Sequence, residues 1–210
     1  NTWYMKRFAG LSEDGLSLWY YTDKETNEEK TTTTYSTGDF YLCGDPNPDL
    51  YGGFGTSITF HGFDLSTQFS YLVGGLTYDY GYAGMMGNPT ATSVGNRWHK
   101  DVLKAWSPEN PSSTIPRWHF NDLNTTGSSD RFLIDGSYLN LQNIQVGYTL
   151  PDSWTSHLKI KNLRLYFVCD NVYYWSKRKG LDPRRSISGV GTSGKIAPFR
   201  TYSGGISLQF

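Results

Sequence analysis

Residues 54–73 read FGTSITFHGFDLSTQFSYLV, and the alternation in this stretch decides the fold class. Phe54, Thr56, Ile58 and Phe60 share one parity, while Gly55, Ser57, Thr59 and His61 take the other. After His61-Gly62 the pattern resumes, with Phe63, Leu65, Thr67, Phe69, Tyr71 and Val73 opposite Asp64, Ser66, Gln68 and Ser70. A period of two sends successive side chains to opposite faces of a strand. Two such runs joined by two residues, one of them glycine, predict an antiparallel hairpin over 50–73.

Three more runs repeat the signature. The first, from Phe132 to Leu150, has Leu139 and Leu141 on one parity and Ile144, Val146 and Tyr148 on the other. That slip requires either a β-bulge or an exchange of faces near Asn143. The next sets Leu163, Leu165, Phe167 and Cys169 against Asn162, Arg164, Tyr166 and Asp170, and runs on into Tyr173-Tyr174-Trp175, so 132–174 reads as a second hairpin. The last, over 199–210, carries Tyr202, Ile206, Leu208 and Phe210. The connections are unequal. His61-Gly62 and the segment from Pro151 to Lys159 are short, whereas 74–131 and 176–198 are long for a compact soluble domain. Arg97–Trp106, with Trp98, Val102, Leu103 and Trp106 at helical spacing before Ser107-Pro108, predicts one short loop helix. Residues 1–40 read as a loop or edge region, with a strand over Leu16–Tyr21.

Composition agrees with an all-β chain. Of 210 residues 23 are glycine, where average usage would give about 15, and 16% are aromatic. Lys+Arg and Asp+Glu both number 19, which argues against binding nucleic acid through bulk charge. No apolar run approaches the roughly 18 residues of a membrane helix, and the mean hydropathy is −0.52. Neither value excludes a membrane β-barrel, which shows lipid only every second residue. Asn1 is neither an initiator Met nor part of a signal sequence, so the start reads as an internal cut or a processed end. Cys43 and Cys169 are too few for a disulfide framework.

Several motifs are set aside on context. Gly189–Lys195 satisfies both GxGxxG and GxxxxGK, but Ile196 stands where a magnesium-binding hydroxyl belongs and Pro198 forbids the helix whose N-terminus would hold phosphate. Asp45-Pro46-Asn47-Pro48-Asp49 opens like a calcium loop, yet Leu50 replaces the required glycine and Thr56 the bidentate Glu. His61, His99, His119 and His157 lack metal-ligand spacing, and no GxSxG elbow occurs. Nothing points to catalysis, a metal or a cofactor. Asn124-Thr125-Thr126 matches a glycosylation acceptor, relevant only in a eukaryotic secretory pathway. Trp98, Trp106 and Trp118 in the long loop are candidates for stacking on substrate or on a partner, against the plainer reading that they pack the loop itself. Lys177, Arg178, Lys179, Arg184 and Arg185 are candidates for lipopolysaccharide phosphates, against a merely solvated loop.

These residues resemble a known family. Gly44-Asp45-Pro46-Asn47-Pro48, Tyr51-Gly52-Gly53-Phe54-Gly55 and His61-Gly62-Phe63-Asp64-Leu65 are similar to a stretch of SusC/RagA-type TonB-dependent outer-membrane transporters. The similarity continues through Trp106–Asn110, Ile115-Pro116-Arg117, Asp135–Leu139, Leu141–Ile144, Gly147–Pro151, Asp170-Asn171-Val172, Lys179–Pro183 and Arg200–Ser203 to Phe210. The resemblance implies an antiparallel transmembrane β-barrel segment, the C-terminal part of a roughly 22-stranded barrel around a plug, with long extracellular loops over 74–131 and 176–198. It implies TonB-dependent uptake of oligosaccharides or oligopeptides under a SusD-like surface lipoprotein. Tyr202, Ile206, Leu208 and Phe210 would form the signal read by the barrel-assembly machinery. These 210 residues hold no plug and no TonB-contacting segment, and supply about six to eight strands. The expectation is therefore a fragment or a piece of a nicked or split barrel, not transport-competent alone, with Phe63, Leu65, Phe69 and Tyr71 facing lipid and Asp64, Ser66 and Gln68 facing the lumen. The alternative is a soluble, secreted β-sandwich that binds glycans through Trp98, Trp106 and Trp118.

Overall fold

A computed structural model describes residues 2–91, 97–122, 124, 127–155, 160–177, 182, 184 and 198–210. The strands in chain order are β1 (Tyr4–Lys6), β2 (Phe8–Leu11), β3 (Ser17–Thr22), β4 (Glu29–Thr32), β5 (Phe40–Leu42), β6 (Leu50–Phe60), β7 (Phe63–Val73), β8 (Leu76–Tyr78), β9 (Leu133–Asp135), β10 (Tyr138–Thr149), β11 (Asn162–Ser176) and β12 (Thr201–Gln209). Two short helices, α1 (Tyr80–Met85) and α2 (Asp152–Thr155), accompany them. The described chain forms two compact units, one from residues 2–47 with 75–135, the other from 48–74 with 136–184 and 198–210.

The second unit is one antiparallel sheet in the order β12-β11-β10-β7-β6. β6 and β7 form the hairpin that the alternation predicts, Ile58 opposite Leu65 and Phe54 opposite Phe69. His61 and Gly62 both have positive φ, 47° and 86°, as the type I′ turn suited to twisted strands requires. β10 then pairs with β7, β11 with β10 and β12 with β11.

The parity slip in β10 is resolved by bulging. On β7, Thr67 and Phe69 are two residues apart; their partners on β10, Ile144 and Leu141, are three apart; on β11, Cys169 and Tyr173 are four apart. Each strand thus takes one more residue than its neighbour, at Gln142 in β10 and at Asn171-Val172 in β11. Asn171 adopts φ 52°, a left-handed conformation that asparagine tolerates better than most residues. The slip therefore keeps Leu139, Leu141, Ile144, Val146 and Tyr148 on one face.

That face is apolar across all five strands and exposed. Phe54 is 55% exposed, Ile58 57%, Phe167 50% and Ile206 65%, and its other members include Leu65, Val146, Leu165 and Leu208. Aromatic pairs tile it, Phe54 on Phe69 at 4.8 Å and Phe63 on Tyr148 at 4.4 Å. The opposite face is mostly polar or small, with Gly55, Ser57, Asp64, Ser66, Gln68, Asn143, Gln145, Gly147, Arg164, Ser203 and Ser207, although Leu72, Val168 and several tyrosines share it. A β-sandwich buries its apolar face under a second sheet. Here large apolar side chains stay open, as on a surface made for hydrocarbon. β6 and β7 have 11 residues each, enough to cross a bilayer at the usual barrel tilt of about 40°. No helix among the described residues is long and apolar enough to cross a membrane.

The first unit departs from the expected loops. The region 1–40, expected as loop or edge with one strand over Leu16–Tyr21, holds that strand as β3 together with β1, β2 and β4. β5 follows at Phe40–Leu42, and 75–135 packs on them. Met5, Tyr78, Met86 and Phe132 form its core, with Trp3, Tyr82, Val102 and Leu133 against it. β8 pairs with β9 and β1 with β5. A second buried centre is Trp19 on β3, 1% exposed, edge-on to Tyr35 at 5.1 Å and to Phe8 at 5.7 Å. The Lys6 ammonium, drawn inside by this packing, donates to the carbonyls of Tyr35, Ser36 and Gly38, and desolvation holds its pKa below the usual lysine value. The α-helical spacing at Arg97–Trp106 yields a 3-10 turn over Lys100–Lys104, which the Nδ1 of His99 caps by accepting the Asp101 N–H. The α-helix of this region lies earlier, at Tyr80–Met85, with the Asp79 carboxylate accepting the Tyr82 N–H at 2.9 Å.

Candidate functional site

On the polar face, Asp64 of β7 and Arg164 of β11 meet across β10. Nε donates to Oδ1 at 2.9 Å and Nη2 to Oδ2 at 2.5 Å, a bidentate pair running over Gly147. A Cβ at Gly147 would collide with both side chains. The strand pattern marks Asp64 and Arg164 as polar-face residues but carries no sign of their pairing, because they are 100 residues apart.

At the far end of the same face, Asn140 is 3% exposed and accepts from Arg184 Nη1 at 2.6 Å. Arg184 also grips Asp182 at 2.8 and 2.7 Å and lies 4.6 Å from the Tyr174 ring centroid. Its side chain is 12% exposed and that of Asp182 6%. Arg184, a candidate lipopolysaccharide contact by sequence, is thus held against Asp182 and Asn140. Three of its five guanidinium N–H donors go to Asp182 and Asn140, which hold the side chain in place and neutralise its charge locally. Lys177 is exposed at the end of β11, while Arg178, Lys179 and Arg185 lie outside the described residues, as do His157 and Gly189–Lys195.

The three tryptophans separate. Trp98 and Trp118 meet edge-to-face at 5.4 Å, and both indole N–H groups donate to the Gly87 carbonyl, at 3.2 and 3.4 Å. They are 36% and 40% exposed, and Phe120 beside them 58%. With both N–H groups satisfied internally, the pair offers ring faces and edges rather than donors. Trp106 does not join them. Its indole packs on Gly15, where φ is 73° and a side chain would enter the ring. Gly15 also accepts the Arg117 N–H at 2.9 Å, so Trp106 anchors its own loop. An open groove of about 480 Å³ runs along Thr33, Thr34, Arg117, His119, Asn121 and Asp122 in this unit.

On β12, Tyr202, Ile206 and Leu208 share the apolar face, Tyr202 stacking on Phe167 at 6.0 Å, and Phe210 follows, 73% exposed. No cluster of three His, Cys, Asp or Glu side chains able to hold a metal occurs among the described residues.

Comparisons with known proteins fit this geometry. No family model matches the chain. TonB-dependent receptor P3 of Formosa agariphila is 30% identical over 212 residues, covering 96% of this chain and 20% of that protein. TonB-dependent receptor SusC of Bacteroides thetaiotaomicron is 27% identical over 182 residues, covering 84% and 17%. Among solved structures, the RagAB peptide transporter superposes on all of the chain and 23% of its own with a TM-score of 0.81 at 26% identity. The same importer in its open-open state gives a TM-score of 0.79. The chain spans about a fifth of the length of the curated relatives it matches. An antiparallel sheet with one exposed apolar face, in a chain that superposes along its whole length on part of a RagAB barrel, is a barrel segment: the chain belongs to the SusC/RagA-type TonB-dependent transporters.

Proposed function

We propose that this chain forms part of the wall of an outer-membrane transporter that imports oligosaccharides or oligopeptides with energy delivered by TonB. The carrying observation is the five-stranded sheet with an exposed apolar face and a polar face, since in a membrane barrel these contact lipid and lumen respectively. The matches to receptors and to a peptide transporter support the same reading. A sheet of five strands cannot close a pore and leaves two edges unpaired, so the chain is not transport-competent alone. The TonB complex would act through a plug-bearing part of the parent protein, and a SusD-like lipoprotein would cover the outer side. The barrel-assembly machinery would read β12 through Tyr202, Ile206, Leu208 and Phe210. The long connections over 74–131 and 176–198 would face outward, where Trp98 and Trp118 become contacts for substrate or lid.

The test is made in the producing organism. An antibody to this chain should detect, in the detergent-extracted outer-membrane fraction, a band several times larger than 23.8 kDa. Deleting the parent gene should abolish uptake of one labelled oligomer class, maltooligosaccharides or mixed oligopeptides, and depleting TonB should reproduce the loss. A 23.8 kDa band in the soluble fraction, or uptake of both classes untouched by either depletion, refutes the proposal.

A further inference from the structure

Within the five strands, no side chain on the apolar face is charged. The first charge met on continuing that face past β12 is Arg200. By parity it sits above Tyr202, and its Nη1 reaches the Tyr202 hydroxyl at 3.5 Å, so the guanidinium lies on the apolar side of the sheet end. Its backbone is tethered, because Asn171 Nδ2 donates to the Phe199 carbonyl at 3.1 Å. Beside it on β11 stand Tyr173 and Trp175, edge-to-face at 4.8 Å and about half exposed. Asn171, Tyr173, Trp175, Ser176, Pro198 and Arg200 line an open groove of about 480 Å³. Lys177, two residues beyond Trp175, is exposed at the same end. This end is opposite the tight turn at His61-Gly62 and carries the long connections.

We infer that Arg200 and its aromatic collar form a binding site for the phosphate of an outer-leaflet glycolipid. The proposal rests on the membrane reading above and extends it to residues. Tyr and Trp at the end of an apolar band occupy the level of lipid headgroups, where their rings meet acyl chains and their polar atoms meet water. A guanidinium at that level meets the one strongly anionic group a glycolipid offers and binds it through two parallel N–H groups. The groove beside it has room for the phosphorylated sugar. Arg184 lines the same groove but is committed to Asp182 and Asn140. Arg200 is exposed, touches the neutral Tyr202 hydroxyl, and supplies the charge.

The experiment uses the full-length parent transporter, purified from outer membranes in detergent and exchanged into nanodiscs doped with phosphorylated lipid A, with dephosphorylated lipid A, or with neither but with inorganic phosphate present. Retained ligand is counted by native mass spectrometry for wild type, Arg200→Gln and Lys161→Gln. Lys161 has the same parity at the opposite end of the sheet and serves as the control for a generic positive rim. Arg200→Gln should lower retention of phosphorylated lipid A about tenfold, the worth of one charge-assisted hydrogen-bond pair. Lys161→Gln should leave it unchanged, dephosphorylated lipid A should not distinguish the variants, and inorganic phosphate should not be retained. Equal losses in both variants, or none in Arg200→Gln, overturn the site while the membrane reading stands. Wild-type protein recovered without detergent overturns the membrane reading itself.

Discussion

Arg164 holds Asp64 from two strands away, and the pair closes over the bare backbone of Gly147. A third strand lies between the partners, so the side chains can meet only if that strand presents no Cβ there. Gly147→Ala should therefore act on the ion pair rather than on the strand. With the two side chains about a quarter exposed, the pair is worth about 1 kcal/mol, well below a fully buried one. Gly147→Ala should lower the temperature at which the detergent-solubilised transporter loses heat-modifiable mobility on gels, and Gly147→Val should lower it further. In an Asp64→Asn, Arg164→Met background the alanine substitution should cost nothing; an undiminished cost there would show that the clash lies elsewhere.

The two faces give a second prediction. Leu65 and Phe69 lie on the apolar face, with Ser66 between them on the polar one. Arginine near the middle of the bilayer costs about 2–4 kcal/mol on the lipid side and far less on the lumen side. Leu65→Arg and Phe69→Arg should deplete the transporter from the outer-membrane fraction, while Ser66→Arg should assemble at wild-type level. Equal assembly of all three would reverse or abolish the assigned faces.

How much of this is legible without coordinates follows the range of the interaction. The 54–73 hairpin is written in adjacent residues, and alternation with a glycine turn suffices to read it. The slip between Leu141 and Ile144 is equally visible, but choosing a bulge over a change of face needs the neighbouring strands. Only the steps of two, three and four residues across β7, β10 and β11 show that each strand absorbs one more residue. The first unit is far less legible, β3 at Ser17–Thr22 being the strand that the sequence marks over Leu16–Tyr21. Its strands are three to six residues long, too short for a period to declare itself, and its contacts join positions such as Trp3 and Leu76, 73 residues apart. The helix expected over Arg97–Trp106 shortens to the 3-10 turn at Lys100–Lys104 for a related reason. Trp98 and Trp106, which make its spacing look amphipathic, pack on Trp118 and Gly15 instead of along one helix face.

The interlocked loops make deletion a blunt instrument. Removing 74–131 takes Tyr78 and Met86 away from Met5 and would disorder residues 2–47 as well. A point substitution is cleaner. Phe132 is 3% exposed in that core, and Phe132→Ala should cost about 3–5 kcal/mol locally. The expected readout is new tryptic cleavage at Lys24 or Lys30 in intact cells, far along the chain from the substitution, with outer-membrane abundance unchanged. Cleavage confined to 75–135 would mean that the two segments fold independently.

The separation of the tryptophans predicts a split in phenotype. Trp98→Ala and Trp118→Ala should each weaken capture of the transported oligomer by intact cells, about tenfold if the rings stack on ligand, with normal surface protease resistance. Trp106→Ala should do the reverse, exposing its loop to protease through loss of the packing on Gly15. The same loss of capture from all three variants would restore a single three-ring site.

Asp130 supplies the pH dependence. Its Oδ1 accepts the Phe8 N–H at 2.8 Å, and burial pushes the carboxyl above the ordinary carboxylate range, against the opposing effects of that hydrogen bond and of Arg7. Between the ordinary value of about 3.9 and its raised one, the folded state holds the proton more tightly than the unfolded state does. Stability from this group is therefore fully present below the ordinary value and is lost as pH rises through the raised one. Once deprotonated, the side chain is a desolvated charge. Asn keeps an oxygen for the Phe8 N–H and removes that charge. Asp130→Asn should thus slow hydrogen exchange of the 4–11 segment at pH 7, after correction for intrinsic rates, and the advantage should vanish as pH falls below about 4. Faster exchange at pH 7 would mean that attraction to Arg7 outweighs the burial of the carboxylate.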